Sequence, residues 1–151
     1  MLAKIVLNML ACSLLFPVMM FAQDNQEFQL SDYRWQNRLL LVFVPTPENA
    51  NYRKQIEELN SRKEGLLDRD LKIFHLFPDD ASFGDGRQIE TKLVNRLYQK
   101  YDADPGEYLI ILIGKDGTEK LRGSSLLKSD KLFAVIDRMP MRQREMQDDG
   151  N

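Results

Sequence analysis

The sequence predicts an α/β fold whose strands and helices follow one another in the order β-α-β-α-β-β-α. Apolar runs alternate with amphipathic stretches along the chain, and two of the apolar runs contain no polar residue. Such uninterrupted runs predict strands that are buried on both faces of a sheet. A tight-turn signal between the last two predicted strands indicates a hairpin there instead of another helical crossover.

The first predicted strand covers residues 39–44, a run made only of Leu, Val and Phe. The Pro-Thr-Pro sequence at residues 45–47 ends this strand. Residues 48–67 then place apolar side chains, Tyr52 and Ile56 among them, at helical spacing, with charged residues mostly on the other side. We therefore expect a buried strand followed by a surface helix.

The second predicted strand, residues 71–77, is less apolar and carries Lys72 and His75. Because a central strand accepts such side chains poorly, we expect this strand at an edge of the sheet. Residues 78–87 are rich in Asp and Gly and predict a polar loop. The apolar stripe of residues 89–101 then predicts a second helix.

The third and fourth predicted strands form a hairpin. Residues 108–113 are the second uninterrupted apolar run and predict a central strand. The Lys-Asp-Gly sequence at residues 115–117 predicts a tight turn into residues 118–122, a polar segment that fits only an edge strand. Ser129 predicts the N-cap of a last helix, which Pro140 follows.

The burial of these strands predicts the topology. With the first and third strands central and the second and fourth at the edges, the sheet is mixed and four-stranded, in the order 4-3-1-2. A right-handed β-α-β unit joined through a helix to a hairpin and a final helix has this order, with helices on both faces. This is the thioredoxin-like fold. A flavodoxin-like sheet would need a helix after each strand, which the hairpin contradicts.

The N-terminus is typical of a secretory signal peptide. Lys4 is followed by a charge-free apolar run, residues 5–21, and then by Ala22 and a polar stretch. We expect cleavage after Ala22 and a protein that is periplasmic or secreted. The chain then divides into a signal peptide, a thioredoxin-like domain and a mobile C-terminal tail: residues 1–22, 23–140 and 141–151.

Two other interpretations of the N-terminus stay open, an uncleaved membrane anchor and a lipoprotein acylated at Cys12. The apolar run is shorter than the roughly 20 residues of a spanning helix, and Pro17 interrupts it. The residues that follow Cys12 are still apolar, whereas a lipoprotein should turn polar after its lipid. With the signal peptide removed, we expect no stable membrane insertion.

Composition and charge exclude several classes of function. The formal net charge is -2 and the basic residues are interleaved with acidic ones, so nucleic-acid binding is not expected. Cys12 is the only cysteine, and cleavage after Ala22 removes it. The mature chain then has no thiolate for disulfide exchange or peroxide reduction and no cysteine to bind a metal. We predict no cofactor and no metal site.

The candidate binding site is the junction between the first central strand and the first helix. A helix N-terminus offers unpaired amides and the positive end of its dipole to an anion. Thr46, Glu48 and Tyr52 lie in this window, where a redox enzyme would have its thiolate. We add Arg122, after the hairpin, as a candidate contact for an anionic ligand, although an edge-strand arginine more often faces water.

The remaining candidates have simpler structural explanations. His75, the only histidine, lies among apolar residues of a predicted strand and is expected to be packed or edge-exposed and not catalytic. The aspartates at positions 79, 80 and 85 lack the spacing of a calcium-binding EF-hand loop and are expected to form a solvated turn. Trp35 precedes the first central strand and is expected to anchor the core.

Several motifs resemble one known family. They are residues 30–35 with 37–43, residues 112–117 and residues 136–142. Together they are similar to the domain of unknown function 4174 family, also called P-DUDES, over nearly the whole mature chain. The resemblance implies an exported protein with a peroxiredoxin-like fold, and it implies no particular activity. Pro45 and Thr46 resemble part of a peroxiredoxin loop, but no cysteine follows them.

Two functional hypotheses remain. The first is a non-enzymatic binding or accessory module that holds an unknown protein or a small anionic ligand, at the strand-helix junction or at an exposed strand edge. The second is a cysteine-independent enzyme or redox accessory, related to peroxiredoxins, whose site is built from Thr46, Glu48, Tyr52 and Arg122. Convergence of these four side chains in one concave pocket would favour the second hypothesis.

Overall fold

The computed structural model describes residues 29–148 of the chain. The predicted signal peptide, its cleavage after Ala22 and the alternative lipid attachment at Cys12 lie outside the described residues and stay predictions. Among residues 29–148, no helix is both long enough and apolar enough to cross a membrane.

The domain is built around one six-stranded mixed sheet. Its strands are β1 Arg38–Phe43, β2 Leu71–Leu76, β3 Ser82–Gly84, β4 Arg87–Ile89, β5 Leu109–Ile113 and β6 Glu119–Gly123. They lie in the order β4-β3-β2-β1-β5-β6, with β1 and β2 parallel. The two uninterrupted apolar runs are central neighbours, as predicted, because β1 pairs antiparallel with β5 and Leu41 lies opposite Ile111.

The prediction of a four-stranded sheet was wrong, because the segment predicted as a polar loop contains the β3–β4 hairpin. Asp85 and Gly86 have φ angles of 49° and 73°, which suit a two-residue hairpin turn. Strands of three residues are too short to show a period of two in the sequence. The order of the whole sheet therefore differs from the prediction, although β6, β5, β1 and β2 keep the mutual order expected of the four strands.

The prediction that β2 is an edge strand was also wrong, because the hairpin lies beside it. β3 pairs with β2 and places Phe83 opposite His75. The polar side chains that argued against a central position both have partners. The ammonium of Lys72 lies 2.8 Å from a carboxylate oxygen of Asp85, and the His75 ring is hydrogen-bonded to Tyr52.

Helices cover both faces of the sheet, as predicted. They are α1 Ala50–Asn60, α2 Lys63–Asp68, α3 Thr91–Lys100, α4 Ser129–Asp137 and α5 Pro140–Asp148. The single helix expected over residues 48–67 is divided into α1 and α2. Ser129 is the first residue of α4 and not its N-cap, and Glu58 of α1 accepts a hydrogen bond from its backbone N–H at 3.0 Å.

Alternate side chains of the central strands enter two separate cores. Leu40 and Val42 pack with α1, α2 and α4, whereas Leu41 and Phe43 pack with α3. All four side chains have no exposed surface. Burial on both faces explains why β1 and the residue that follows it have no polar side chain at positions 39–44.

Trp35 does not anchor the core, and that prediction was wrong. Its side chain is 62% exposed. Its φ angle is 66°, a left-handed conformation that is rare for a bulky residue, and its N–H donates to the carbonyl of Lys115 at 2.7 Å. This backbone turn directs the side chain outward immediately before the buried strand begins.

The mobile tail expected from residue 141 is replaced, up to residue 148, by helix α5. Arg142 is 5% exposed, and its guanidinium donates to the carbonyl of Asp68 at 2.8 Å and pairs with the carboxylate of the same residue. Glu145 pairs with the buried Arg38 at the start of β1. Ion pairs, and not an apolar stripe, therefore attach this helix to the domain.

Candidate functional site

The junction between β1 and α1 is an exposed loop without a nucleophilic thiol. Thr46 and Glu48 are exposed, and neither side chain forms a hydrogen bond among the described residues. Asn49 is the N-cap of α1, and its side-chain oxygen accepts from the N–H groups of Asn51 and Tyr52 at 3.0 and 3.2 Å. The amides that would receive an anion are thus already bonded to the protein's own amide oxygen.

Tyr52 connects this junction to the neighbouring strand. Its hydroxyl lies 2.9 Å from Nδ1 of His75, and burial raises the pKa of the phenol. Burial also lowers the pKa of His75 from 6.5 to about 4. The His75 ring is therefore neutral at physiological pH, and it is packed, as predicted.

An exposed aromatic ring covers this pair. Phe83 of β3 stacks on His75 with ring centres 4.3 Å apart and planes 23° apart, and 44% of its surface is exposed. Tyr52 packs edge-on against His75, with ring centres 5.7 Å apart. We refer to the exposed ring of Phe83, with His75 and Tyr52 beneath it, as the Phe83 surface.

Sequence reasoning missed the Phe83 surface. Tyr52 was a candidate, but His75 was treated only as a lone histidine, and Phe83 was the one aromatic residue in a segment predicted to be a polar loop. An aromatic residue between Ser82 and Gly84 was the only available signal. Its meaning depends on the register of β2 and β3, which the sequence does not reveal.

The same end of the sheet carries negative charge. Glu48 lies in the β1–α1 loop, and Asp79 and Asp80 lie exposed in the loop between β2 and β3. Asp85 is separate from them, because its carboxylate receives Lys72 at 2.8 Å and the Tyr33 hydroxyl at 3.1 Å. Over residues 29–148, no three His, Cys, Asp or Glu side chains are grouped so that they could hold a metal ion.

Arg122 lies apart from the other three predicted site residues. It pairs with Glu119 through two hydrogen bonds of 2.9 Å and donates to the carbonyl of Tyr101. Its register partner Ile111 belongs to the core under α3, whereas Tyr52 belongs to the core on the opposite face of the sheet. The structure thus brings Thr46, Glu48 and Tyr52 to one end of the sheet and leaves Arg122 on the other face.

Comparison with known proteins agrees with this architecture. The model of a family described as Domain of unknown function (DUF4174) matches residues 29–145. Coiled-coil domain-containing protein 80 of Danio rerio is 27% identical over 133 residues, which are 78% of this chain and 15% of that protein. Sushi repeat-containing protein SRPX of Homo sapiens is 29% identical over 120 residues, which are 78% of this chain and 26% of that protein. The chain therefore spans about a quarter or less of these relatives.

The fold is also similar to that of a solved structure. It is the reduced 2-Cys peroxiredoxin of Plasmodium vivax, with a TM-score of 0.58 and 13% sequence identity, and the match covers 76% of this chain and 84% of that one. At this identity the similarity shows the fold alone. The fold is peroxiredoxin-like, hence thioredoxin-like, and the family resemblance indicated by the sequence motifs is confirmed.

Proposed function

This chain belongs to the family described as Domain of unknown function (DUF4174), and on that basis we propose that its domain is a non-enzymatic module that binds a protein through the Phe83 surface. The observation that carries the proposal is the stacking of a 44%-exposed phenylalanine on a neutral histidine beside the β1–α1 junction. Exposed aromatic side chains held in one orientation are typical of residues that dominate binding energy.

The geometry of the junction favours a protein partner over a small anion. The side chain of Asn49 already accepts from the first free amides of α1. Glu48, Asp79 and Asp80 surround the same end of the sheet with negative charge. We expect a partner segment that has an apolar side chain to stack on Phe83 and basic residues beside it.

The length of the relatives supports a modular role. The matched part is 15% of one relative and 26% of the other, so in both proteins it is one region of a longer chain. We further propose that the module works outside the cytoplasm, as its signal-like N-terminus predicts.

The alternative, a cysteine-independent enzyme, receives no support from the positions of its residues, since Arg122 and Tyr52 belong to opposite faces of the sheet. We expect the chain starting at residue 23 to show no catalytic consumption of hydrogen peroxide and no reduction of insulin disulfides with a thiol donor. Turnover by the wild type that is abolished in a variant with Thr46→Ala, Glu48→Ala and Arg122→Ala would overturn the binding-module proposal.

The binding proposal is tested with matched surface variants. A partner captured from the native exported fraction is purified, and its affinity is measured for the wild type, Phe83→Ser and Leu67→Ser. Leu67 is the control, because it is 72% exposed and lies on α2. We expect Phe83→Ser to weaken binding about tenfold or more, since truncation of a central aromatic side chain costs about 2 kcal/mol.

Charge is tested with the same partner. Glu48→Gln should weaken binding moderately, and affinity should fall as salt concentration rises, because a basic partner is attracted to the acidic rim. Binding that Phe83→Ser leaves intact, or that Leu67→Ser reduces equally, would contradict the role of the Phe83 surface.

A further inference from the structure

A half-open pocket of about 300 Å³ lies at the end of the sheet opposite the Phe83 surface, on the face covered by α3. Leu39 of β1 and Ile113 of β5 are register partners and form its apolar floor. The rings of Tyr33 and Tyr101 contribute to its walls, together with Leu30. The volume is at the lower end of the range of about 300–1,000 Å³ found for small-molecule pockets.

Two cations stand at the rim of this pocket, Arg34 and Lys100. The ammonium of Lys100 lies 5.1 Å from the centre of the Tyr101 ring. The guanidinium of Arg34 donates from Nη2 to the carbonyl of Asp116 at 3.1 Å. Over residues 29–148, neither cation has a carboxylate partner within ion-pair distance. Both charges are available to a ligand.

Asp116 is the one carboxylate among the lining residues, and its oxygens are already bonded. One oxygen receives the N–H and hydroxyl of Thr118 at 3.0 and 2.9 Å, and the other receives Lys120 at 2.7 Å. Burial alone would raise the pKa of Asp116, but these hydrogen bonds hold it below its usual value. The negative charge is therefore offset inside the turn, and the pocket keeps a net positive charge.

The turn that carries Asp116 also positions Arg34. Gly117 has a φ angle of 80°, and a Cβ atom there would lie 3.0 Å from Nε of Arg34. The missing side chain lets the arginine lie directly over the turn. A guanidinium held in this way keeps further N–H groups in the fork geometry that suits a carboxylate.

We propose that this pocket binds a small organic monocarboxylate with one aromatic or branched-alkyl body. Arg34 and Lys100 hold the carboxylate at the rim, and the body covers Leu39 and Ile113 between the two tyrosine rings. An inorganic anion would contact only the two cations and would leave the apolar lining of the pocket, the partly exposed Leu30 and the two tyrosine rings included, without a partner. The site is independent of the proposed protein-binding function, which uses the other end of the sheet.

Calorimetric titration with three probes tests the proposal: 3-phenylpropanoate, its neutral amide and inorganic phosphate. We expect the carboxylate to bind one site per chain, and the amide and phosphate to bind at least about tenfold more weakly, since each lacks either the charge or the apolar body. Arg34→Gln and Lys100→Gln should each weaken carboxylate binding about fivefold to tenfold. Lys92→Gln is the matched control, because Lys92 is also exposed on α3, at its other end.

Trp35, the only tryptophan in the chain, gives a second readout. The guanidinium carbon of Arg34 lies 5.6 Å from the centre of its ring, so a carboxylate that binds to Arg34 should change the fluorescence. The change should saturate with the calorimetric affinity and be lost in Arg34→Gln. The proposal is wrong if the carboxylate gives no saturable binding at millimolar concentration, if the amide or phosphate binds equally well, or if Lys92→Gln weakens binding as much as Lys100→Gln.

Discussion

The guanidinium of Arg38, which has no exposed surface, donates to both carboxylate oxygens of Glu145 at 3.1 Å. The same carboxylate lies 2.7 Å from the ammonium of Lys115, which is 9% exposed. One acidic side chain of the last helix therefore contacts two buried cations, of which Lys115 is also paired with Asp70 at 2.8 Å. Removing one partner of such a group leaves uncompensated charge in a region of low polarity.

Glu145→Gln should lower the free energy of unfolding by about 2–3 kcal/mol, because the buried Arg38 loses its carboxylate partner and Lys115 keeps only its pair with the half-exposed Asp70. Urea unfolding measures the change. Glu57→Gln is the control, since Glu57 is exposed on α1 and should change stability by less than about 0.5 kcal/mol. Equal effects of the two substitutions would mean that the ion pairs of Glu145 stabilise the fold no more than an exposed surface residue does.

The way in which Glu145 attaches α5 also shows why the sequence pattern predicted a mobile tail and not a packed helix. Helix α5 has no apolar stripe, and charged or polar residues make up most of it. Hydrophobic periodicity, the main sequence signal for a packed helix, is therefore absent. Arg142 and Glu145 attach the helix through partners more than 70 residues away, Asp68 and Arg38, and no local pattern encodes such pairs.

His75 should make the protein less stable as the pH falls from 6.5 to about 4. Because burial lowers its pKa from 6.5 to about 4, the unfolded chain binds a proton in this range that the folded protein does not. The loss should reach at most about 3 kcal/mol and should be missing in His75→Gln. The free energy of unfolding of both proteins is measured across this pH range. Effects of carboxylates, which the two proteins share, cancel in the difference between them.

A direct measurement is also available, because His75 is the only histidine in the chain. Its ring protons should titrate in NMR spectra with a midpoint near pH 4. A midpoint near 6.5 would show that the ring is solvated in the folded protein and that Phe83 does not cover it.

Gln55 should be one of the costliest polar side chains to replace. It has no exposed surface; its amide nitrogen donates to the carbonyl of Leu127 at 2.9 Å, and its oxygen accepts from the N–H of the same residue at 2.7 Å. The hydroxyl of Tyr108 donates to that oxygen at 3.2 Å. Gln55→Leu leaves these buried groups without partners and should cost about 3 kcal/mol. Gln99→Leu, at an exposed position of α3, should be nearly neutral in the same unfolding experiment.

Asn49→Ala should lower stability by about 1 kcal/mol, because two N–H groups of the first turn of α1 lose their acceptor. Thermal or urea unfolding measures the loss. Asn95→Ala is a suitable control, since Asn95 is exposed within α3 and alanine has the higher helix propensity. A loss in Asn95→Ala as large as that in Asn49→Ala would contradict the capping role.

The central sheet was predictable, and the reason lies in its burial. Residues 39–43 of β1 and the whole of β5 are apolar because both strands have helices packed on both faces, and this pattern marks them as neighbours in the middle. The β3–β4 hairpin, the break between α1 and α2 and the outward turn at Trp35 depend on a few backbone angles. Composition does not report such angles, and each of these three features was missed.

The candidate site was predictable only in part for a related reason. Helix-dipole reasoning selects the end of the sheet where Thr46, Glu48 and Tyr52 lie. It does not reveal that the side-chain oxygen of Asn49 accepts hydrogen bonds from the first amides of α1. Nor does it reveal that β2 and β3 pair in the register that stacks Phe83 on His75. Which face of the sheet Arg122 occupies is also a matter of register, and one residue of shift would reverse it.

The ion pair between Arg38 and Glu145 has a consequence for how such a domain is carried by a longer chain. The short 3-10 helix Leu30–Tyr33 leads into β1 at the end of the sheet where Glu145 meets Arg38 and Lys115. The polypeptide therefore enters and leaves the domain on the same side. If it were inserted between other regions of a longer chain, the domain would project sideways from the main chain. Phe83, at the far end, would then be the part that reaches farthest from its neighbours.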